Sequence, residues 1–132
     1  MSCGVTDNDD NGDSETSAIA GKWGSTNFTI EFTGTRGIID EVRAGSVWET
    51  AVDEGFIEIG DDKFRNISKQ SENVWSVQEL WFKPEGNQPA EVRWSATGSL
   101  ELSENGLTIT ITTTNPFPPG NTPPPYTLTR VD

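Results

Sequence analysis

The side chains able to do chemistry in this 132-residue chain are carboxylates, lysines and one tyrosine, Tyr126. There is no His and only one Cys. That removes His-assisted nucleophiles, zinc sites of the usual His/Cys kind and any internal disulfide. Adjacent acids occur at Asp40-Glu41, Asp53-Glu54 and Asp61-Asp62. Neighbouring residues in a strand point to opposite faces, so such pairs do not converge on one substrate, and solvation at turns accounts for them. Glu79 differs, because it shares parity with Trp75, Val77 and Trp81. It could point inward as a buried candidate acid, but the simpler reading places it near a strand end or pairs it with Arg93 on a neighbouring strand. No catalytic residue is expected, and the chain reads as a binding protein rather than an enzyme.

One run resembles a metal loop. Asp7-Asn-Asp-Asp-Asn-Gly12 has the opening pattern of an EF-hand, with oxygen ligands at alternate positions and a glycine for the turn. The closing bidentate acid would fall at Ala18, which has no side-chain oxygen, so a solvated acidic segment is the better account. No metal and no cofactor are expected. The formal net charge of −12 repels phosphate backbones, so nucleic acid is not a partner. No run of about 18 apolar residues is present to form a membrane-spanning helix.

These groups must be positioned by short strands. The hydrophobic fraction is only 32 %, so the core has to come from five Trp and six Phe rather than aliphatic bulk. Asn73–Lys83 is apolar on both parities for part of its length, and Glu91–Ser95, Gly98–Ser103 and Gly106–Thr112 alternate with period two. Asn105-Gly106 marks a hairpin between Leu102 and Leu107. Before them, residues 22–33 predict one strand, Ile38–Arg43 a weak strand or loop, Ser46–Val52 a strand, Gly55–Gly60 a further short strand, and Lys63–Lys69 another. Tyr126–Val131 closes the chain. No apolar period of 3.6 persists, so the fold is all-β.

Eight or nine strands joined by hairpins predict a small up-and-down antiparallel β-barrel of about eight strands, with a β-sandwich as the alternative. Residues 1–17 contain five acids and almost nothing apolar, which predicts a disordered acidic tether ahead of a domain over 18–132. The barrel domain is expected to be a monomer.

Two local patterns carry a resemblance. Cys3, between Ser2 and Gly4 and followed by the acidic stretch, resembles the lipidated start of a mature bacterial lipoprotein of the Bacteroidetes type. Gly21-Lys22-Trp23 before the first strand is similar to the Gly-x-Trp that opens lipocalin-type barrels, and the late alternating runs look like their closing strands. The resemblance covers residues 18–132. It implies a lipocalin-like small lipoprotein of the outer membrane or cell surface, anchored through a lipid on Cys3. It also implies that Trp23 plugs one barrel end under Arg130.

Lipocalin-like barrels take small apolar molecules in the mouth, lined by inward side chains. Candidates for that lining are Phe28, Ile30, Trp48, Trp75, Trp81 and Trp94, although a barrel of this length can also fill its interior with those rings. Asn115–Pro125 carries six prolines and predicts a stiff loop that covers the mouth with Phe117 inserted, or serves only as surface. The alternative function is a surface module that recognises glycan or protein through exposed aromatics and this proline-rich loop.

Overall fold

A computed structural model describes residues 17–118 and 124–131. After a single 3-10 turn, Ser17–Ile19, the strands are β1 Gly21–Gly24, β2 Phe28–Thr33, β3 Arg36–Val42, β4 Asp62–Ser71, β5 Val74–Lys83, β6 Glu91–Trp94, β7 Gly98–Leu102, β8 Thr108–Thr112 and β9 Tyr126–Arg130. One helix, α1 Val47–Asp53, interrupts them. Every pairing is antiparallel, and the order β1-β2-β3-β4-β5-β7-β8-β9 returns to β1. The result is the expected all-β, up-and-down barrel of eight strands, closed so that no wall strand is left unpaired. The ninth, β6, lies outside the ring and pairs only with the second half of β5, from Leu80 to Lys83.

Three local expectations are corrected, and one left open between strand and loop is settled as strand. Residues 22–33 are two strands, because Ser25–Asn27 form a turn in which the Ser25 hydroxyl accepts from the Asn27 and Phe28 amides. Ile38–Val42 lies within the seven-residue strand β3, and Arg43 falls just beyond its end. Ser46–Val52 is not a strand: Ser46 caps α1 by accepting from the Glu49 amide at 3.3 Å. Glu49 reaches back to accept from the Gly45 amide at 2.9 Å, a reciprocal arrangement that satisfies two end donors and starts the helix. Gly55–Gly60 is irregular, because Gly55 and Gly60 adopt φ of +83° and +99°, which end an extended run on both sides.

β4 departs from regular pairing. Gly37 faces Phe64 and Ile38 faces Asp62, so Lys63 is an extra residue on β4. Such a bulge changes which way a side chain points, and both Lys63 and Phe64 are buried despite being neighbours. A second shift lies between Arg65 and Ser68, where Asn66 takes a positive φ of 57°, and Ile67 is turned into the core.

The barrel ends differ. The turns β2–β3, β4–β5 and β7–β8 are short and lie at the end where β1 begins and β9 finishes. The longer connections, carrying α1, β6 and the proline-rich segment, all leave from the opposite end. Between them the interior is packed by Trp23, Ile30, Phe32, Phe64, Trp75, Leu100, Ile109, Ile111 and Leu128, all essentially without exposure. Each such side chain contributes roughly 1.5–3 kcal/mol by leaving water. The long-loop end is not filled in this way.

Candidate functional site

At that end a cavity of about 580 Å³ opens between the strand ends and α1. Its apolar wall is Phe28, Trp48, Trp81, Phe82 and Ile111, and its rim includes Val47, Pro124 and Pro125. Trp48 is placed by the first turn of α1, where it meets Phe28 edge-on at 6.1 Å and Phe82 at 6.2 Å. Phe28 in turn stands edge-on to Tyr126 at 6.4 Å. Edge-to-face contacts of this kind fix ring orientation as well as burying area.

The floor is polar and centred on Glu79. Its Oε2 accepts from Lys63 Nζ at 2.6 Å and from the Tyr126 hydroxyl at 2.6 Å. Its Oε1 accepts from Thr113 Oγ1 at 2.5 Å, and Thr113 Oγ1 accepts from Trp81 Nε1 at 3.2 Å. Lys63 Nζ also donates to the Leu80 carbonyl at 2.7 Å and lies 4.4 Å from the Trp48 ring centre. The Glu79 backbone is held on its other side, where its amide donates to Ser95 Oγ at 3.1 Å and its carbonyl accepts from the Ser95 amide at 2.9 Å. Ion pair and hydroxyls thus saturate one another, as buried polar groups must.

Burial pushes the Lys63 ammonium below the ordinary lysine value, opposed in part by the charge and hydrogen bond of Glu79. Burial also raises the Tyr126 phenol well above its ordinary value, and the Glu79 charge and hydrogen bond add to that shift. A proton on Lys63 and a proton on Tyr126 therefore share one carboxylate.

No family model, curated protein or solved structure matches this chain. The reading of the site rests on its own geometry.

Of the residues expected to line a mouth, Phe28, Trp48 and Trp81 do so. Ile30 and Trp75 lie in the packed interior, away from the cavity. Trp94, on β6, is covered by the Arg65 guanidinium at 4.1 Å, outside the barrel. Phe117 is buried but does not line the cavity; it lies between Arg93 at 4.9 Å and Lys83 at 5.9 Å, against β5 and β6. The proline-rich segment reaches the rim instead through Pro124 and Pro125, while residues 119–123 lie outside the described residues.

Arg130 lies over the Trp23 ring at 4.3 Å, at the short-turn end. Glu79 points inward, but its partner is Lys63; Arg93 pairs with Glu91 at 2.8 Å. The pairing with Arg93 fails because β6, which carries Arg93, sets it opposite Trp81, not opposite Glu79. Lys63 and Thr113 were not identifiable as site residues, since the bulge that turns Lys63 inward leaves no periodic mark. Cys3, residues 1–16 and the EF-hand-like run lie outside the described residues.

Proposed function

We propose that this chain binds a small, apolar, ring-bearing molecule in the cavity between the barrel mouth and α1. The observation that carries the reading is an aromatic-walled space of about 580 Å³ over a self-neutralised polar floor. Pockets for small organic ligands fall in the range of roughly 300–1,000 Å³, mostly apolar with a few fixed polar groups. Among the described lining residues, Lys63 and Glu79 are the only charged ones, and they neutralise each other. A ligand carboxylate would find no spare cation among the described lining residues, so uncharged ligands are favoured over fatty acids.

The lipocalin-like resemblance supports the same reading, and the Arg130–Trp23 contact is consistent with it. We also propose, from the residues around Cys3, that the protein is a lipid-anchored component of the bacterial outer membrane or cell surface. Mass spectrometry of the native, membrane-extracted protein tests that anchor, and an unmodified Cys3 removes it.

The glycan reading asked for a row of exposed indoles. Trp23, Trp48 and Trp75 are buried, and Trp81 and Trp94 are half-covered, so no such row exists. Titration of tryptophan emission separates the two readings. Uncharged aromatic alcohols are expected to change the emission saturably, an effect lost in Trp48→Ala, while oligosaccharides leave it unchanged. A response to oligosaccharides alone overturns the cavity reading.

A further inference from the structure

Among the described residues, Lys63 is the one amine that faces the cavity. Its side chain is 2 % exposed, against 44 % for Lys22, and Lys69 is also exposed. Two of its N–H groups are spent on Glu79 and Leu80, and the amine lies beside Trp48 and Phe28 at 4.4 and 5.3 Å. Next to it are a carboxylate able to take its proton and a phenol hydrogen-bonded to the same oxygen. An amine, a proton acceptor beside it and an aromatic surround that holds the carbonyl compound favour imine formation.

We propose that Lys63 captures a small apolar aldehyde covalently and reversibly, as an imine at the floor of the cavity. This rests on the cavity being a ligand site. Lys63 passes a proton to Glu79 Oε2, and the freed lone pair of Nζ forms a bond to the carbonyl carbon. The carbonyl oxygen becomes a hydroxyl by taking the proton back from Glu79. Glu79 then accepts a second proton from the nitrogen and returns it to that hydroxyl, which leaves as water while the carbon–nitrogen double bond forms. The sum is ammonium plus aldehyde giving protonated imine plus water, with no oxidant or reductant. Charge is conserved at every stage, so the product cation keeps Glu79 as its partner. The depressed proton affinity of Lys63 assists the first step by enlarging the neutral-amine fraction.

The test uses the full, unaltered protein at neutral pH with hydrocinnamaldehyde and sodium cyanoborohydride, followed by peptide mapping of every lysine. Hydrocinnamyl alcohol, which lacks the carbonyl, reports cavity occupancy separately by calorimetry. Lys63 is expected to carry several-fold more reduced adduct than Lys22, Lys69 or Lys83, since burial lowers its proton affinity and the cavity collects the aldehyde beside it. The alcohol is expected to suppress that labelling, and Glu79→Gln to slow it. If the alcohol binds while adduct is spread over the surface lysines and spares Lys63, the imine proposal fails and the cavity reading stands. If the alcohol does not bind and Lys63 stays unlabelled, both fail. Competition among lysines within one molecule gives the answer even if Glu79→Gln does not fold.

Discussion

Arg130 lies 4.3 Å above the indole of Trp23, and the two side chains tie down the same short segment. Trp23 Nε1 donates to the Ile19 carbonyl at 2.9 Å, while Arg130 donates to the carbonyls of Ala18 and Ala20 at 3.1 and 3.2 Å. Strand β9 is thereby fastened to the entry of β1, where the barrel closes on itself. Arg130→Ala is expected to cost about 2 kcal/mol, combining a cation–π contact with lost charge-assisted hydrogen bonds. Arg130→Lys should recover only part of it, because an ammonium cannot span two carbonyls as the planar guanidinium does. Urea denaturation midpoints measure both, and equal stability of the Lys variant and the parent contradicts the role given to the guanidinium fork.

The buried ion pair predicts an asymmetric pattern. Glu79→Gln leaves Lys63 desolvated without its counter-charge and is expected to destabilise by about 3–5 kcal/mol. Replacing both partners with apolar residues, Lys63→Met with Glu79→Leu, should be far less costly than that single change, because no unpaired charge remains. A double-mutant cycle by chemical denaturation checks it.

Tyr126 is the only tyrosine, so phenolate absorbance reports it alone. Its proton is held well above the ordinary 10.0 in the native state. Between those values the unfolded chain has released the proton and the native protein has not, so stability falls as pH rises beyond 10. Lys63 works in the other direction: its native value is below 10.5, so stability rises with pH until the unfolded lysine also deprotonates. The expected result is a native protein without a phenolate signal at pH 10, with the signal appearing together with loss of structure at higher pH. A reversible phenolate titration centred at the ordinary value in folded protein contradicts the buried floor.

Helix α1 holds one wall of the cavity through Trp48. Ser46→Ala removes the cap and is expected to cost about 1 kcal/mol. Because Trp48 sits in the first turn, ligand affinity should weaken by more than the small stability change alone implies for a remote site. Calorimetric titration of the Ser46→Ala variant with hydrocinnamyl alcohol measures this.

The wall of the barrel was legible because β2, β7 and β8 alternate, and Asn105-Gly106 does lie in the turn between β7 and β8. The inward direction of Glu79 was legible from its parity with Trp75 and Val77, and its partner across the sheet is the buried Phe64 of β4. α1 was missed although Ser46-Val-Trp-Glu49 spells a capping pattern, since seven residues are too few for a helical period to show. Its one ring, Trp48, together with Val47 and Val52, imitates a strand. Lys63 was missed for a different cause: counting alternate positions assumes that no residue is inserted, and pairing with β3 shows one. Tyr126 stood out only as a rare residue type, because nothing local says that it converges with a carboxylate 47 positions earlier.

That inserted residue divides β4 into two phases. Upstream and downstream of Lys63, odd and even positions exchange their meaning, so the amine and the neighbouring Phe64 ring face the same space. Loss of one residue at this point would leave the strand count and the closure intact yet rotate the amine outward and take from the floor the cation that faces Glu79. The chemistry of the cavity is thus governed by a spacing defect in one stave, separable from the staves that hold the vessel together.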